Sequence, residues 1–349
     1  MMKKMFSLLV LFSMLCGIWT NVAVSAEGSA SDILGTWYGQ YTGTTDDIYV
    51  ERYMNMSVKE CDENGNISGE ARVTTVEGQG HDSEWFNYEF EGTFDFSDNA
   101  FYMKGVKLLD GSSSTNWSFI SFNGVVSGDN ITGIVDNNEE RKFSFARVSE
   151  WAKDEVTEAN ALGLIPDVLQ GEDLSQKISR AEFAAVAVQL YQKLSGAEIT
   201  TEGAKEFTDI SKNPAKNEIL KASALDIVVG ISDTLYDPDS NITREQLATM
   251  LCRTIKKYKF EDWTFETDSE YYLDSEGVKK FVDDDLISEY AKPSVYYMVK
   301  MGIINGVDDT HFAPKNTTTE EEANGYASAT REQAIALSLR IYNLSDLWK

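Results

Sequence analysis

The chain has 349 residues, with 31 Lys and Arg against 57 Asp and Glu, giving a formal net charge of −26. So acidic a chain argues against nucleic acid and anionic lipid as partners, and it repels anionic ligands at long range, so any anion site must act locally. The length calls for two or more compact units.

Residues 1–26 read as a secretory signal: Lys3 and Lys4 begin it, an apolar run follows from Phe6 to Ile18, and Val24-Ser25-Ala26 is a small-residue cleavage site. Cleavage removes two lysines and no acids, moving the formal charge from −26 to −28. Leu15 is bulky for the residue before a lipidated Cys16, so a lipid anchor is not expected. No later stretch reaches the ~18 apolar residues a bilayer span needs. The expected product is exported and spans no membrane. Cys61 and Cys252 remain, in different units, so no disulfide framework is expected. Cys252 aligns with Val188 and Leu339 of the repeats described below, and is expected to be buried packing.

In the β unit, taken as 27–148, residues 31–148 alternate apolar and polar with period two. The clearest run is Phe86, Tyr88, Phe90, Gly92, Phe94 and Phe96, followed by Val50, Arg52, Met54, Met56 and Val58. Turn signals at Asn64-Gly65, Ser127-Gly128-Asp129-Asn130 and Asp136-Asn137-Asn138 separate the runs. About eight strands are predicted, near 34–41, 48–60, 67–76, 86–96, 100–108, 116–123, 130–135 and 141–148. They point to an antiparallel all-β barrel or sandwich. Gly35-Thr36-Trp37 near the start and Arg147 near the end resemble the opening and closing of lipocalin- and avidin-like barrels. That resemblance implies a Trp sealing one end with an Arg packed across it, around an interior that is either a small-ligand cavity or filled. Arg52 falls on the apolar face, where it needs an inward acid or a ligand. His81, beside Asp82 and Ser83, sits in a loop-like stretch that gives no catalytic geometry. Asn66-Ile67-Ser68 and Asn116-Trp117-Ser118 match a glycosylation acceptor pattern, which such an Asn meets often by chance.

The C-terminal part carries one phrase three times: Ile178-Ser179-Arg180-Ala181-Glu182, Ile242-Thr243-Arg244-Glu245-Gln246 and Ala329-Thr330-Arg331-Glu332-Gln333. Each opens a helix-spaced apolar series, and Ser or Thr with Glu or Gln three residues on is a capping box. The cap leaves the arginine unexplained. A cation in the first turn opposes the helix dipole, so three of them predict an anion held jointly by guanidinium and helix terminus. Upstream lie Trp151-Ala152-Lys153, Pro214-Ala215-Lys216 and Tyr290-Ala291-Lys292. Helix stops follow at Gly163, Asp226 and Gly302, and aromatic-x-Pro loops at Tyr236-Asp237-Pro238 and Phe312-Ala313-Pro314. One such unit cannot bury its own apolar faces, so three should pack together.

At these residues the chain resembles the S-layer homology family across nearly all of 149–349: WAK at Trp151–Lys153, LGLI at Leu162–Ile165, FTDI at Phe207–Ile210 and GIING at Gly302–Gly306. The resemblance implies an all-α bundle of three repeats, 149–206, 207–280 with a connector, and 281–349, with pseudo-three-fold symmetry. It further implies inter-repeat grooves that bind pyruvylated secondary cell-wall polysaccharide linked to peptidoglycan, without cofactor or metal. Carried over by residue, Arg180, Arg244 and Arg331 would meet the ketal carboxylate. Glu182 matches the family's acid, which Gln246 and Gln333 replace, and Trp151 matches the aromatic that Pro214 and Tyr290 do not. Lys153, Lys216 and Lys292 share one position, which a solvated helix face explains equally well. Repeat one lacks the aromatic-x-Pro, and repeat three carries an insertion, Asn316 to Ala329, expected to lengthen a loop, so one or two working grooves are expected. The expected function is non-catalytic attachment to the wall of a thick-walled bacterium, with the β domain displayed outward at the cell surface. The alternatives make the β domain a small-ligand or glycan-binding carrier or sensor, or a glycan-acting enzyme, tethered by the repeats.

Overall fold

A computed structural model describes residues 28–45, 48–75, 84–112 and 119–349. The signal-like segment, His81 and Asn116-Trp117-Ser118 lie outside them.

A four-residue helix, α1 (Ala30–Ile33), leads into eight antiparallel strands: β1 (Gly35–Thr45), β2 (Ile48–Cys61), β3 (Asn66–Thr75), β4 (Trp85–Phe94), β5 (Ala100–Gly111), β6 (Ser121–Ser127), β7 (Asn130–Val135) and β8 (Asn138–Val148). Each pairs with its sequence neighbour, and β8 returns to β1, with Trp37 opposite Arg147, so the barrel is closed. The period-two pattern decides which side chains enter: Met54, Met56, Phe86, Tyr88, Phe90, Phe94, Phe122, Phe143 and Phe145 are all buried. Rings meet edge to face inside, as in Tyr41–Phe122 at 5.0 Å and Phe122–Phe143 at 5.4 Å between centroids. At one end Trp37 donates its indole N–H to the Ile33 carbonyl (2.9 Å), and the Arg147 guanidinium lies 4.1 Å from the Trp37 ring centroid. Arg147 also bonds the carbonyls of Leu34 and Asp32, tying β8 across the entrance to β1. Arg52 is buried against the Tyr41 hydroxyl, which burial pushes up to about 12.

The second half has a short and a long helix in each repeat. The short ones are α2 (Lys153–Ala161), α4 (Lys216–Ala224) and α6 (Lys292–Lys300), nine residues each. The long ones are α3 (Arg180–Ser195), α5 (Arg244–Lys259) and α8 (Arg331–Asn343). The insertion before α8 is more than a longer loop: Thr318 caps a helix there, α7 (Thr319–Asn324). Every short helix ends in the left-handed region, at Gly163 (φ +66°), Asp226 (φ +62°) and Gly302 (φ +67°). Phe183, Val186 and Leu190, then Leu247, Leu251 and Ile255, then Ala334, Leu337 and Ile341, all enter one core, as does Cys252.

The three capping phrases meet at the centre of this bundle. The Ile178 amide donates to Ala329, the Ala329 amide to Ile242, and the Ile242 amide to Ile178 (3.0, 3.3 and 3.1 Å), a closed ring of backbone hydrogen bonds. Tyr38 of β1 and Val148 of β8 join the helical core, and Tyr38 bonds Gln170, so the barrel's seam is seated on repeat one.

Candidate functional site

All three capping boxes form. Ser179, Thr243 and Thr330 accept from the backbone of Glu182, Gln246 and Gln333, whose side chains accept in return (2.9, 3.1 and 3.3 Å). The next two helix donors are also occupied. Arg180 and Ala181 donate to Ser240 and Pro238, Arg244 and Glu245 to Ala327 and Pro314, and Arg331 and Glu332 to Gln176 and Leu174. The expectation that helix N–H groups share an anion with the arginine is therefore corrected. Those donors already hold the following repeat's loop, because a buried amide takes the nearest carbonyl.

The arginines reach in the same direction. Arg180 donates Nε to Tyr236 O (3.1 Å) and Nη2 to Val229 O (3.2 Å), over the Tyr236 ring. Arg244 does the same with Phe312 O (2.9 Å) and Asn305 O (2.6 Å), over the Phe312 ring. Each is clamped along one edge by two carbonyls of the next repeat, and among the described residues neither makes an ion pair. Burial pushes the Arg244 guanidinium down to about 10, a shift opposed by Asp283 and Tyr326, so it stays charged at neutral pH. The loops holding these carbonyls are built by Asp209, which accepts from the Tyr236 and Asp237 amides, and by Asp283, which accepts from those of Phe312 and Ala313. Sequence reasoning passed over both aspartates, although Asp209 lies within the FTDI segment.

Arg331 differs. Repeat one offers Glu172-Asp173-Leu174 in place of the aromatic-x-Pro, and among the described residues no ring lies beneath the guanidinium. Its Nη1 donates to Asp173 O (2.9 Å) and lies 3.5 Å from Glu172, and its Nη2 pairs with Glu182 at 2.5 Å. The expectation that Arg331 awaits an external carboxylate is corrected: an internal one already occupies it.

Around Arg244 the repeats leave a groove of about 180 Å³, lined by Trp151, Asn305, Gly306, Gln333 and Arg340 among others. Trp151 is 52% exposed and offers a ring face. Arg340 is held by both carboxylate oxygens of Glu155 (2.6 and 3.0 Å). Gln333 faces Arg244 where Glu182 faces Arg331. The matching position around Arg180 gathers Arg253 and the half-exposed Tyr290, whose phenol feels both cations. Tyr290 therefore stands where Trp151 stands, which the motif comparison did not credit, whereas repeat two carries Pro214, which has no ring face, at the matching sequence position. The three lysines begin the short helices instead of lining the Arg244 groove. Lys153 pairs with Glu150, Lys292 with Glu289 and Asp284, and Lys216 is exposed.

Two stretches, 206–248 and 280–323, match the S-layer homology domain. The two matches overlap the first parts of repeats two and three, and they support a place at the cell-wall surface. Among curated proteins, the chain is 30% identical over 196 residues to "Exoglucanase XynX" of Acetivibrio thermocellus, covering 55% of this chain and 17% of that one. It is 31% identical over 107 residues to the "Cellulosome-anchoring protein" of the same organism, covering 31% and 24%. To its "Cell surface glycoprotein 1" it is 26% identical over 151 residues, covering 42% and 6%. The chain thus spans less than a quarter of the length of these relatives. No helix among the described residues is long and apolar enough to cross a membrane.

Proposed function

We propose that the helical half fastens the protein, without catalysis, to a pyruvylated wall polysaccharide through two grooves, centred on Arg244 with Trp151 and on Arg180 with Tyr290. The barrel is displayed outward. The observation that carries this reading is the Arg244 guanidinium, fixed by two carbonyls, free of carboxylate partners among the described residues, and set in a groove beside an exposed indole. A compact carboxylate suits the guanidinium, and a sugar face suits the ring. The third groove serves as a structural lock, its arginine neutralised by Glu182. Two weak, screened sites on one body act together by multivalency. The Trp37–Arg147 stack favours the likeness to lipocalin- and avidin-like barrels, and in this reading the barrel is cargo carried by the repeats.

The test is co-sedimentation of the full chain with purified walls before and after the attached polysaccharide is stripped. The expected result is pelleting that depends on the polysaccharide and is competed by soluble pyruvylated fragments. Equal pelleting with stripped walls would reject the reading.

A further inference from the structure

The outer face of the barrel carries an ordered row of polar groups that the anchoring function does not use. Asn55 on β2 lies directly opposite Arg72 on β3, Arg72 opposite Asn87 on β4, and Asn87 opposite Asp110 on β5. Asn55, Arg72 and Asn87 point outward, because their neighbours Met54, Met56, Val73, Phe86 and Tyr88 point in, and Asp110 is exposed and lines the same cleft. The row is tied together at its centre, where Arg72 Nη1 donates to Asn87 Oδ1 (3.3 Å) and the guanidinium lies 4.3 Å from the Trp85 ring centroid. Arg72 Nε is buried and has no hydrogen-bond partner among the described residues.

Helix α2 stands over one end of this row. Asn55 Nδ2 donates to Thr157 Oγ1 (3.0 Å), and the sheet and helix enclose a cleft of about 810 Å³ with Asp154 on its wall. Strands lie about 4.8 Å apart, so four rungs run for about 14 Å, the length of a short sugar chain. The rungs alternate amide, guanidinium, amide and carboxylate. These planar groups offer donors and acceptors side by side, as vicinal hydroxyls require. Asp110 and Asp154 disfavour a polyanion, Lys59 pairs with Glu70 and Lys153 with Glu150, and Arg72 bonds the neutral Asn87 amide.

We propose that this cleft, between the outer face of β2–β5 and helix α2, binds a neutral oligosaccharide of two or three pyranose units. It is separate from the arginine grooves, so the protein holds two kinds of glycan, an acidic one through its repeats and a neutral one at the barrel–helix junction.

Calorimetric titration of the full chain with chitotriose, cellotriose and maltotriose tests this. At least one is expected to bind at millimolar concentration, and Asn87→Ala and Asp154→Ala are each expected to weaken it about fivefold, the loss of one hydrogen bond. Asp154 is exposed, so its substitution leaves the fold intact. Trp151→Ala is expected to leave trisaccharide binding unchanged. The proposal is overturned if none of the three sugars binds, if binding survives both cleft substitutions, or if Trp151→Ala abolishes it.

Discussion

The grooves around Arg244 and Arg331 are built from the same phrase, the same cap and the same backbone donors, yet they present opposite electrostatics. Arg244 meets Gln333, an aromatic ring beneath and an exposed Trp151. Arg331 meets Glu182 and Glu172, with no ring beneath it among the described residues. Repetition of backbone geometry is therefore compatible with one unit binding and another locking. What differs is what faces the arginine, Glu182 and Glu172 in one case, Gln333 and the Phe312 ring in the other.

The comparison breaks most visibly at the lock. Arg331→Ala leaves Glu182 partly buried beside no cation and should cost about 3 kcal/mol of stability, read by urea denaturation, with little change in wall affinity of the folded protein. Trp151→Ala should do the reverse, lowering wall affinity about tenfold, or about 1.4 kcal/mol, while the melting temperature holds. Its counterpart Pro214→Ala should leave pelleting unchanged, and a loss equal to that of Trp151→Ala would refute the asymmetry. Glu182→Gln converts the lock toward the Arg244 arrangement and keeps the cap. Wall affinity should rise about twofold, held down by the missing ring, against about 1 kcal/mol of lost ion pairing.

The smallest effect concerns Glu332, which accepts from the Ser149 amide at the junction of repeats three and one. Burial raises its carboxyl above the ordinary value, against the pull of Ser149. A raised acid means the folded state holds the proton more tightly than the unfolded chain does. Its contribution is present below the ordinary value and lost as pH rises through the folded one. Glu332→Gln keeps an acceptor for Ser149 and should flatten that decline, gaining about 0.5 kcal/mol or less at neutral pH. Parallel unfolding curves for both proteins at acidic and neutral pH check the sign.

Local order was legible in the sequence. Period-two runs marked the strands, because burying one face of each forces alternation, although the sixth runs over Ser121–Ser127 and not 116–123. The Ser/Thr-x-x-Glu/Gln spacing marked the start of each long helix, and Gly163, Asp226 and Gly302 marked the stops. What could not be read depends on partners far along the chain. The ring through Ile178, Ala329 and Ile242 uses backbone amides, which carry no residue signature. The arginine clamps use carbonyls 49 to 68 residues away, so the positive charge at the helix start looked like an invitation to an anion when much of it answers carbonyls. The Glu182–Arg331 pair spans 149 residues. Its signal was present all along, since Glu182 is the one acid among the three matched cap positions.

The hydrogen-bond ring at the centre of the bundle also has a mechanical meaning. Strand β8 runs into the first repeat with only four residues between Val148 and Lys153, and the barrel seam shares that repeat's core. Under the proposed attachment, a pull on the barrel would enter through repeat one. It reaches repeat two through the Ile242–Ile178 bond and repeat three through the Ile178–Ala329 bond at once. Load is divided between two neighbours instead of peeling units one after another, as it would in an open stack. If the proposed tether holds, that geometry would favour failure as a single event.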